Sequence, residues 1–316
     1  MNSLEISVVL PVYDEEKTLN ELNARLTKTL LELRSNYEII YVNDNSQDGS
    51  LEKLKNFYRA DKNIKIIDLS RNFGHLPALI AGIESASGNC VIIMDADLQD
   101  SPEAIKDFYA KWKEGYEVVY AIRAKRQESL FSRIAFKAFY WILFHVSNIT
   151  QPIDAGIFSL LDRKVVNVFK TLREKNRYIP GLRSYIGFKQ IGLKLDRLPR
   201  KEGKSKVGTQ GLFRLAFDAI FSFSYLPLRI AIIGGSVVAI ISFILMGYFA
   251  ILRILIYFNL IELKHFTPGF TFIICSIYLL SGIILICLGI MGEYIGRIYD
   301  EVKDRPYYVV REKIGF

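Results

Sequence analysis

Ile6 to Val12 (ISVVLPV) is an uninterrupted apolar run, and from Asp14 to Arg34 apolar positions recur at helical spacing through Leu19, Leu22, Leu26, Leu30 and Leu33. A strand leads into a helix. The alternation repeats: Glu38 to Val42, then a helix from about Ser50 to Arg59; Ile64 to Leu69, then Pro77 to Ser85; Cys90 to Met94, then Pro102 to Glu114; and Val118 to Ile122. Strands that are apolar throughout, separated by helices, predict an α/β fold around a mostly parallel sheet covered on both faces. Open sheets of this kind bind ligands beyond the carboxyl ends of their strands. Four successive segments there are polar: Tyr13-Asp14-Glu15, Asn43 to Gly49, Ser70 to Gly74, and Asp95 to Asp100.

The pattern changes in the last third. Ile230 to Leu252 is 23 residues without a charge, and Phe266 to Gly292 is 27 more. Each run exceeds the roughly 30 Å hydrocarbon core of a bilayer at 1.5 Å per residue, and each is longer than a buried core helix requires. Two membrane-crossing helices are expected, at 228–258 and 267–297, with Pro268 suited to a first turn. Small residues such as Gly234, Gly235, Gly282 and Gly289 permit close helix approach, so a homo-oligomer is compatible with the sequence. The connector holds only Glu262 and Lys264, whereas the tail at 298–316 carries Lys303, Arg305, Arg311 and Lys313. By the positive-inside rule both termini are cytosolic, as is the domain at 1–210. Tyr307 to Val310 offers a short terminal strand. The aromatic-rich segments at about 130–147 and at 211–227 are interrupted by Arg133, Lys137, Arg214 and Asp218. They read as amphipathic helices lying in the headgroup layer, or as helices packed on the domain's own core.

Composition agrees with this division. The 316 residues are 51% hydrophobic with mean hydropathy +0.20, yet 23% are charged, so the apolar excess is segregated. A net charge of +8 suits an anionic partner: nucleic acid, phosphate ligands or lipid headgroups. No regular interleaving of basic and aromatic residues marks a nucleic-acid platform, so a lipid bilayer accounts better for the charge. Three cysteines without metal-ligand spacing fit a reducing compartment. An N-terminus with acidic Asp14, Glu15 and Glu16 after one short apolar run does not resemble a signal peptide.

Asp95 and Asp97 carry the sharpest chemical signal. Capping explains an isolated Ser or Asp in such a loop, as at Ser50 or Ser101, but not two carboxylates two residues apart just beyond a buried strand. They would repel unless a cation lay between them, and hard oxygen donors select Mg²⁺ or Mn²⁺ over zinc. There is no phosphate-binding lysine loop, dinucleotide fingerprint or Ser-His-Asp order. His75 and His145 read as structural or interfacial, His75 being the better placed to touch a ligand.

These residues resemble a family-2 glycosyltransferase of the GT-A (Rossmann-like) fold, and more closely the membrane-anchored polyprenyl-phosphate glycosyltransferases. That group includes dolichyl-phosphate mannose synthases and bactoprenol glucosyltransferases of the GtrB type. The likeness runs through VVLPVYDEE, VNDNSQDGS, LSRNFGHLPALIAGIESASGN and VIIMDADLQDSPE to the two apolar runs. It implies that Pro11, Tyr13 and Glu15 line the nucleotide base and ribose, that Asp44 reads the base, and that Ser70 adds to the nucleotide-sugar site. It places Asp95 and Asp97 at the diphosphate and its metal, joined by Gln99. Arg123 and Arg126, with Arg200, Gly203, Ser205 and Lys206, match segments that meet the acceptor phosphate. Ile157 and Ser159 flank Phe158 where many relatives carry Asp and Arg, leaving Asp154 as the nearest catalytic candidate, and Val207 replaces a frequent Tyr.

A missing carboxylate need not prevent reaction, because a lipid phosphate with its second pKa near 6 is already mostly a dianionic nucleophile at neutral pH. The expected activity is inverting transfer of a sugar, glucose from UDP-glucose foremost, to undecaprenyl or another polyprenyl phosphate on the cytosolic leaflet of the inner membrane. A GDP-mannose-using relative of that enzyme is the alternative of the same class. A processive polysaccharide synthase fits less well, since neither Trp112 nor Trp141 follows an arginine. The alternative of another class is a silent scaffold that holds a nucleotide sugar or recruits a flippase.

Overall fold

The computed structural model describes residues 4–123, 155–172, 179–195, 226–258 and 270–316. Two compact units divide the chain, one of residues 1–215 with 305–316 and one of 216–304. The first unit alternates as expected in its opening half: β1 (Ile6–Val12), α1 (Leu19–Glu32), β2 (Tyr37–Asn43), α2 (Ser50–Ala60), β3 (Ile64–Leu69), α3 (His75–Ser85) and β4 (Cys90–Ile93). A 3₁₀ turn at Pro102–Ala104 leads into α4 (Ile105–Lys113) and β5 (Val118–Arg123). Then follow β6 (Ala155–Asp162), α5 (Arg163–Thr171), α6 (Ile179–Ile186), β7 (Gln190–Leu195) and, from the C-terminus, β8 (Val310–Ile314).

These strands form an eight-stranded sheet in the order β7-β5-β6-β4-β1-β2-β3-β8. It is mixed rather than uniformly parallel: β6 runs antiparallel to β4 and β5, and β8 runs antiparallel to β3. The four parallel strands β4, β1, β2 and β3 are adjacent, so the loops after them open on one rim. The carboxyl end of β5 and the amino end of β6 reach the same rim. The alternation of side chains about the sheet builds two cores. Ile6, Val8, Leu10 and Val12 pack with Leu19, Leu22, Leu26 and Leu30 of α1 and with Phe108 of α4. Val9, Ile40, Val42, Val91 and Ile93 pack with α3, α5 and α6. Burial on both faces explains why the central strands read as continuous apolar runs. Helix α3 lies so close to β1 that a Cβ on Gly82 would overlap Val9 Cγ1. At the opposite rim the buried carboxylate of Glu38 accepts from Ser7 Oγ at 2.6 Å and from the Ser87 amide at 2.8 Å, and pairs with Lys65 at 2.7 Å.

One expectation is corrected. The terminal strand lies at Val310–Ile314, not at Tyr307 to Val310, and it occupies an edge of the first unit's sheet. The sequence pattern also did not identify β6 or β7. The segment at about 130–147 lies outside the described residues; of 211–227 only the last two are described, and they begin α7.

The second unit contains α7 (Leu226–Tyr257) and α8 (Phe270–Val302). Many of their large apolar side chains face outward, among them Ile232, Phe243, Ile244, Leu285 and Ile286. Among the described residues one segment, Ser276–Val302, has the length and composition needed to cross a membrane; the apolar stretch Ile230–Ile244 in α7 is shorter.

Candidate active site

The rim is assembled by bonds between successive loops. The turn after β1 and the loop after β2 are stitched together: the Asp14 amide donates to Ser46 Oγ, the Gln47 amide to Asp14 Oδ1, the Glu15 amide to Ser50 Oγ, and the Glu16 amide to Asp48 Oδ2. The Gly49 amide returns a bond to Glu16 Oε2 at 3.0 Å. Two residues reach left-handed backbone angles here, Asp14 at φ 52° and Asn45 at φ 56°. Asp and Asn tolerate that region better than most residues, which suits them to these tight turns. Thr18, at the entrance to α1, donates to the carbonyl of Ala96 at 3.1 Å, tying the first loop to the aspartate pair.

Asp44 organises the third loop. Its carboxylate is 3% exposed and accepts from the Phe73 amide at 2.7 Å and the Gly74 amide at 2.9 Å. Gly74 sits at φ 100°, a conformation that glycine adopts without strain. Burial pushes the Asp44 carboxyl above its ordinary value, against the lowering by the two amides, His75 and Arg71. Both oxygens are engaged, yet each carboxylate oxygen has a second lone pair, so Asp44 can hold the loop and still accept from a ligand.

His75 opens α3, and its Nε2 lies 2.8 Å from Asp95 Oδ1. Burial lowers the imidazole's affinity for a proton, but Asp95, Asp97 and Asp44 outweigh it and hold His75 above the ordinary histidine value. The ring beside the two acids is thus that of His75, a partner that sequence spacing did not reveal. Asp95 and Asp97 are both half-buried just beyond β4, and Asp97 Oδ1 accepts from the Gln99 amide at 3.1 Å. Leu98, between them and Gln99 in the turn, has φ 60°.

The donor set suits a divalent cation. The carboxylates of Asp95 and Asp97 are hard oxygen donors, and among the described residues no three His, Cys, Asp or Glu side chains group in a way that could hold a metal ion. An open set of that kind fits Mg²⁺ or Mn²⁺, which fill their remaining positions with water and substrate phosphate.

Of the residues singled out from sequence, Tyr13, Glu15, Asp44, Ser70, Asp95, Asp97 and Gln99 share this rim. Pro11 is buried inside β1 opposite Val42, below the loops. Arg123 ends β5, where its backbone pairs with Leu195. Ser159 is fully buried and donates to the Ile157 carbonyl at 2.8 Å, and Phe158 packs on Phe108 at 4.6 Å between ring centres, so this part of β6 is internal structure. Arg126, Asp154, Arg200, Gly203, Ser205, Lys206 and Val207 lie outside the described residues.

A family model described as Glycosyl transferase family 2 matches residues 7–169. An uncharacterized glycosyltransferase of Bacillus subtilis (strain 168), YkcC, is 43% identical over 99% of this chain and 95% of its own length. The bactoprenol glucosyl transferase of Shigella phage SfII is 36% identical over 98% of both chains. The undecaprenyl-phosphate 4-deoxy-4-formamido-L-arabinose transferase of Proteus mirabilis (strain HI4320) is 32% identical over 98% of this chain and 94% of its own.

Proposed function

Because the chain belongs to glycosyl transferase family 2 and is a glycosyltransferase of the polyprenyl-phosphate kind, we propose that it moves glucose from UDP-glucose to undecaprenyl phosphate with inversion. The supporting observation is the union of a carboxylate pair, Asp95 and Asp97, with loops bearing Tyr13, Asp44 and Ser70 on one rim, in a chain alike over its whole length to a bactoprenol glucosyl transferase. In this reading Tyr13, Glu15 and Asp44 receive the base and ribose. Asp95 and Asp97, with Gln99 assigned beside them, would hold a divalent ion, which when bound would supply positive charge against the departing nucleoside diphosphate. His75 fixes the orientation of Asp95 through the bond at 2.8 Å.

The lipid phosphate oxygen forms a bond to the anomeric carbon as the bond from that carbon to the diphosphate oxygen breaks, and the electron pair leaves with UDP. No proton must be removed from a dianionic nucleophile, so the buried Ser159 and apolar Ile157 of β6 do not stop the reaction. Arg123, Arg126, Arg200, Ser205 and Lys206 are assigned to the acceptor phosphate, and Asp154 to the reacting centre. Helices α7 and α8 are assigned to the inner membrane as a hairpin with both termini cytosolic; the outward-facing apolar side chains support this, because water would otherwise meet them. The relative named for a formamido-arabinose favours a second donor of the same chemistry, a nucleotide-linked pentose, before GDP-mannose.

The assay uses full-length protein, Mg²⁺, labelled UDP-glucose and undecaprenyl phosphate, with other nucleotide sugars in parallel. The expected result is a glucose-bearing lipid phosphate and free UDP, formed only when the lipid phosphate is present. Product from another donor alone would replace glucose, and donor binding without lipid product would replace the enzyme by a nucleotide-sugar scaffold.

A further inference from the structure

Strand β8 brings a guanidinium to the rim from the far end of the chain. Arg311 Nη1 donates to Asp68 Oδ2 at 3.1 Å, and Nη2 donates to Asn45 Oδ1 at 2.9 Å and to the Ser70 carbonyl at 2.8 Å. Asp68, at the end of β3, is 2% exposed and also accepts from Asn43 Nδ2 at 2.7 Å. The Ser70 amide donates to the Val309 carbonyl at 2.9 Å. One side chain therefore joins the loop after β2, next to Asp44, to the loop after β3 at Ser70. Asp44 then holds Phe73 and Gly74, and the following residue, His75, meets Asp95. A continuous series of bonds runs from β8 to the aspartate pair.

A charged residue on an edge strand is ordinarily a guard against aggregation, and an exposed ion pair contributes little. Arg311 departs from that default in its partners: one is a nearly inaccessible carboxylate, and two belong to loops of the donor rim. Lys313, on the same strand, bonds instead to Ser85 Oγ at the end of α3, away from those loops. The two cations thus separate anchoring of the strand from organisation of the rim.

We propose that Arg311 is a positioning residue for the nucleotide sugar, setting the separation of the Asn45 and Ser70 loops so that the donor enters a preformed site. This rests on the reading that those loops receive the donor's nucleoside. A group acting on donor affinity alone changes the donor KM and leaves the acceptor KM and kcat close to their original values.

The test compares full-length wild type, Arg311→Ala, Arg311→Lys and Lys313→Ala, measuring kcat and both KM values with UDP-glucose and undecaprenyl phosphate, together with thermal midpoints. The expected result for Arg311→Ala is a donor KM raised about tenfold, as loss of several charge-assisted bonds implies. Lys313→Ala should keep the donor KM even where it lowers the thermal midpoint as far. Arg311→Lys should recover part of the loss, since an ammonium can meet one or two of the three acceptors but not all in the planar arrangement of a guanidinium. A donor KM unchanged in Arg311→Ala, or raised equally in Lys313→Ala, would overturn the assignment. Should Arg311→Ala fail to fold, a wild-type donor KM in Arg311→Lys would overturn it as well. Wild type that turns over no nucleotide sugar would remove the donor reading and this inference with it, whereas an active wild type with an indifferent Arg311 would remove the inference alone.

Discussion

Asp44 is the residue on which the polar rim turns, because one nearly inaccessible carboxylate receives two consecutive backbone amides. Asp44→Asn retains the shape but presents an N–H₂ group to one of them. A buried amide left without its acceptor costs about 1 to 3 kcal/mol. The expected outcome is a stability loss of that order in urea unfolding, with a donor KM that rises while the acceptor KM stays; equal stability would mean the two amides find another partner. The rest of the site was legible to differing degrees. Asp95 and Asp97 stood out because two acids beyond a buried apolar strand have no common structural cause. His75 stood out only as the histidine better placed to touch a ligand; its bond to Asp95 comes from packing α3 on the sheet, and no spacing along the chain encodes it. Arg311 was read only as part of a basic tail, since its partners lie about two hundred and forty or more positions away in sequence.

At the level of elements, the strands buried on both faces were readable and the others were not. The runs ISVVLPV, EIIYV and CVIIM have a single physical explanation, whereas GIFSLLD in β6 includes polar residues and Gly156, and QIGLKL in β7 is only half-buried. For β8 the more apolar YYVV drew attention, but the pairing falls on VREKI, whose three central side chains are charged and exposed, as an edge strand tolerates. Between α1 and the 3₁₀ turn before α4, Arg25 makes a two-pronged pair with Glu103 at 2.9 and 2.7 Å. The Arg25 guanidinium holds Glu103 down to about 2, against partial burial and with help from Ser101. A carboxyl depressed in the folded state adds stability above its ordinary range near 4.5 and loses it as pH falls through that range toward about 2. Arg25→Ala should therefore lower the thermal midpoint at pH 6, and its difference from wild type should shrink as pH falls toward 2. A difference that persists undiminished in acid would assign Arg25 a packing role instead.

For the whole molecule, the sheet separates two tasks. One rim, at the carboxyl ends of β1 to β4, gathers the acids and polar loops; the opposite rim contains the buried Glu38 group and is structural. The chain leaves this unit for two long apolar helices and returns to its edge with β8, so a sheet begun near the N-terminus is completed by the last residues. An alternating pattern predicts the first arrangement, but a return after such helices is a tertiary property that local pattern does not contain. In the proposed reaction Asp95 and Asp97 would hold the cation that eases departure of the nucleoside diphosphate. The most direct measurement is the rate of lipid-linked sugar formation by purified Asp97→Asn against wild type, across a Mg²⁺ and Mn²⁺ titration, with circular dichroism verifying the fold. The expected result is a fall of about a hundredfold or more in kcat, whereas a folded Asp97→Asn protein with wild-type rate and metal dependence would remove the carboxylate pair from the reaction.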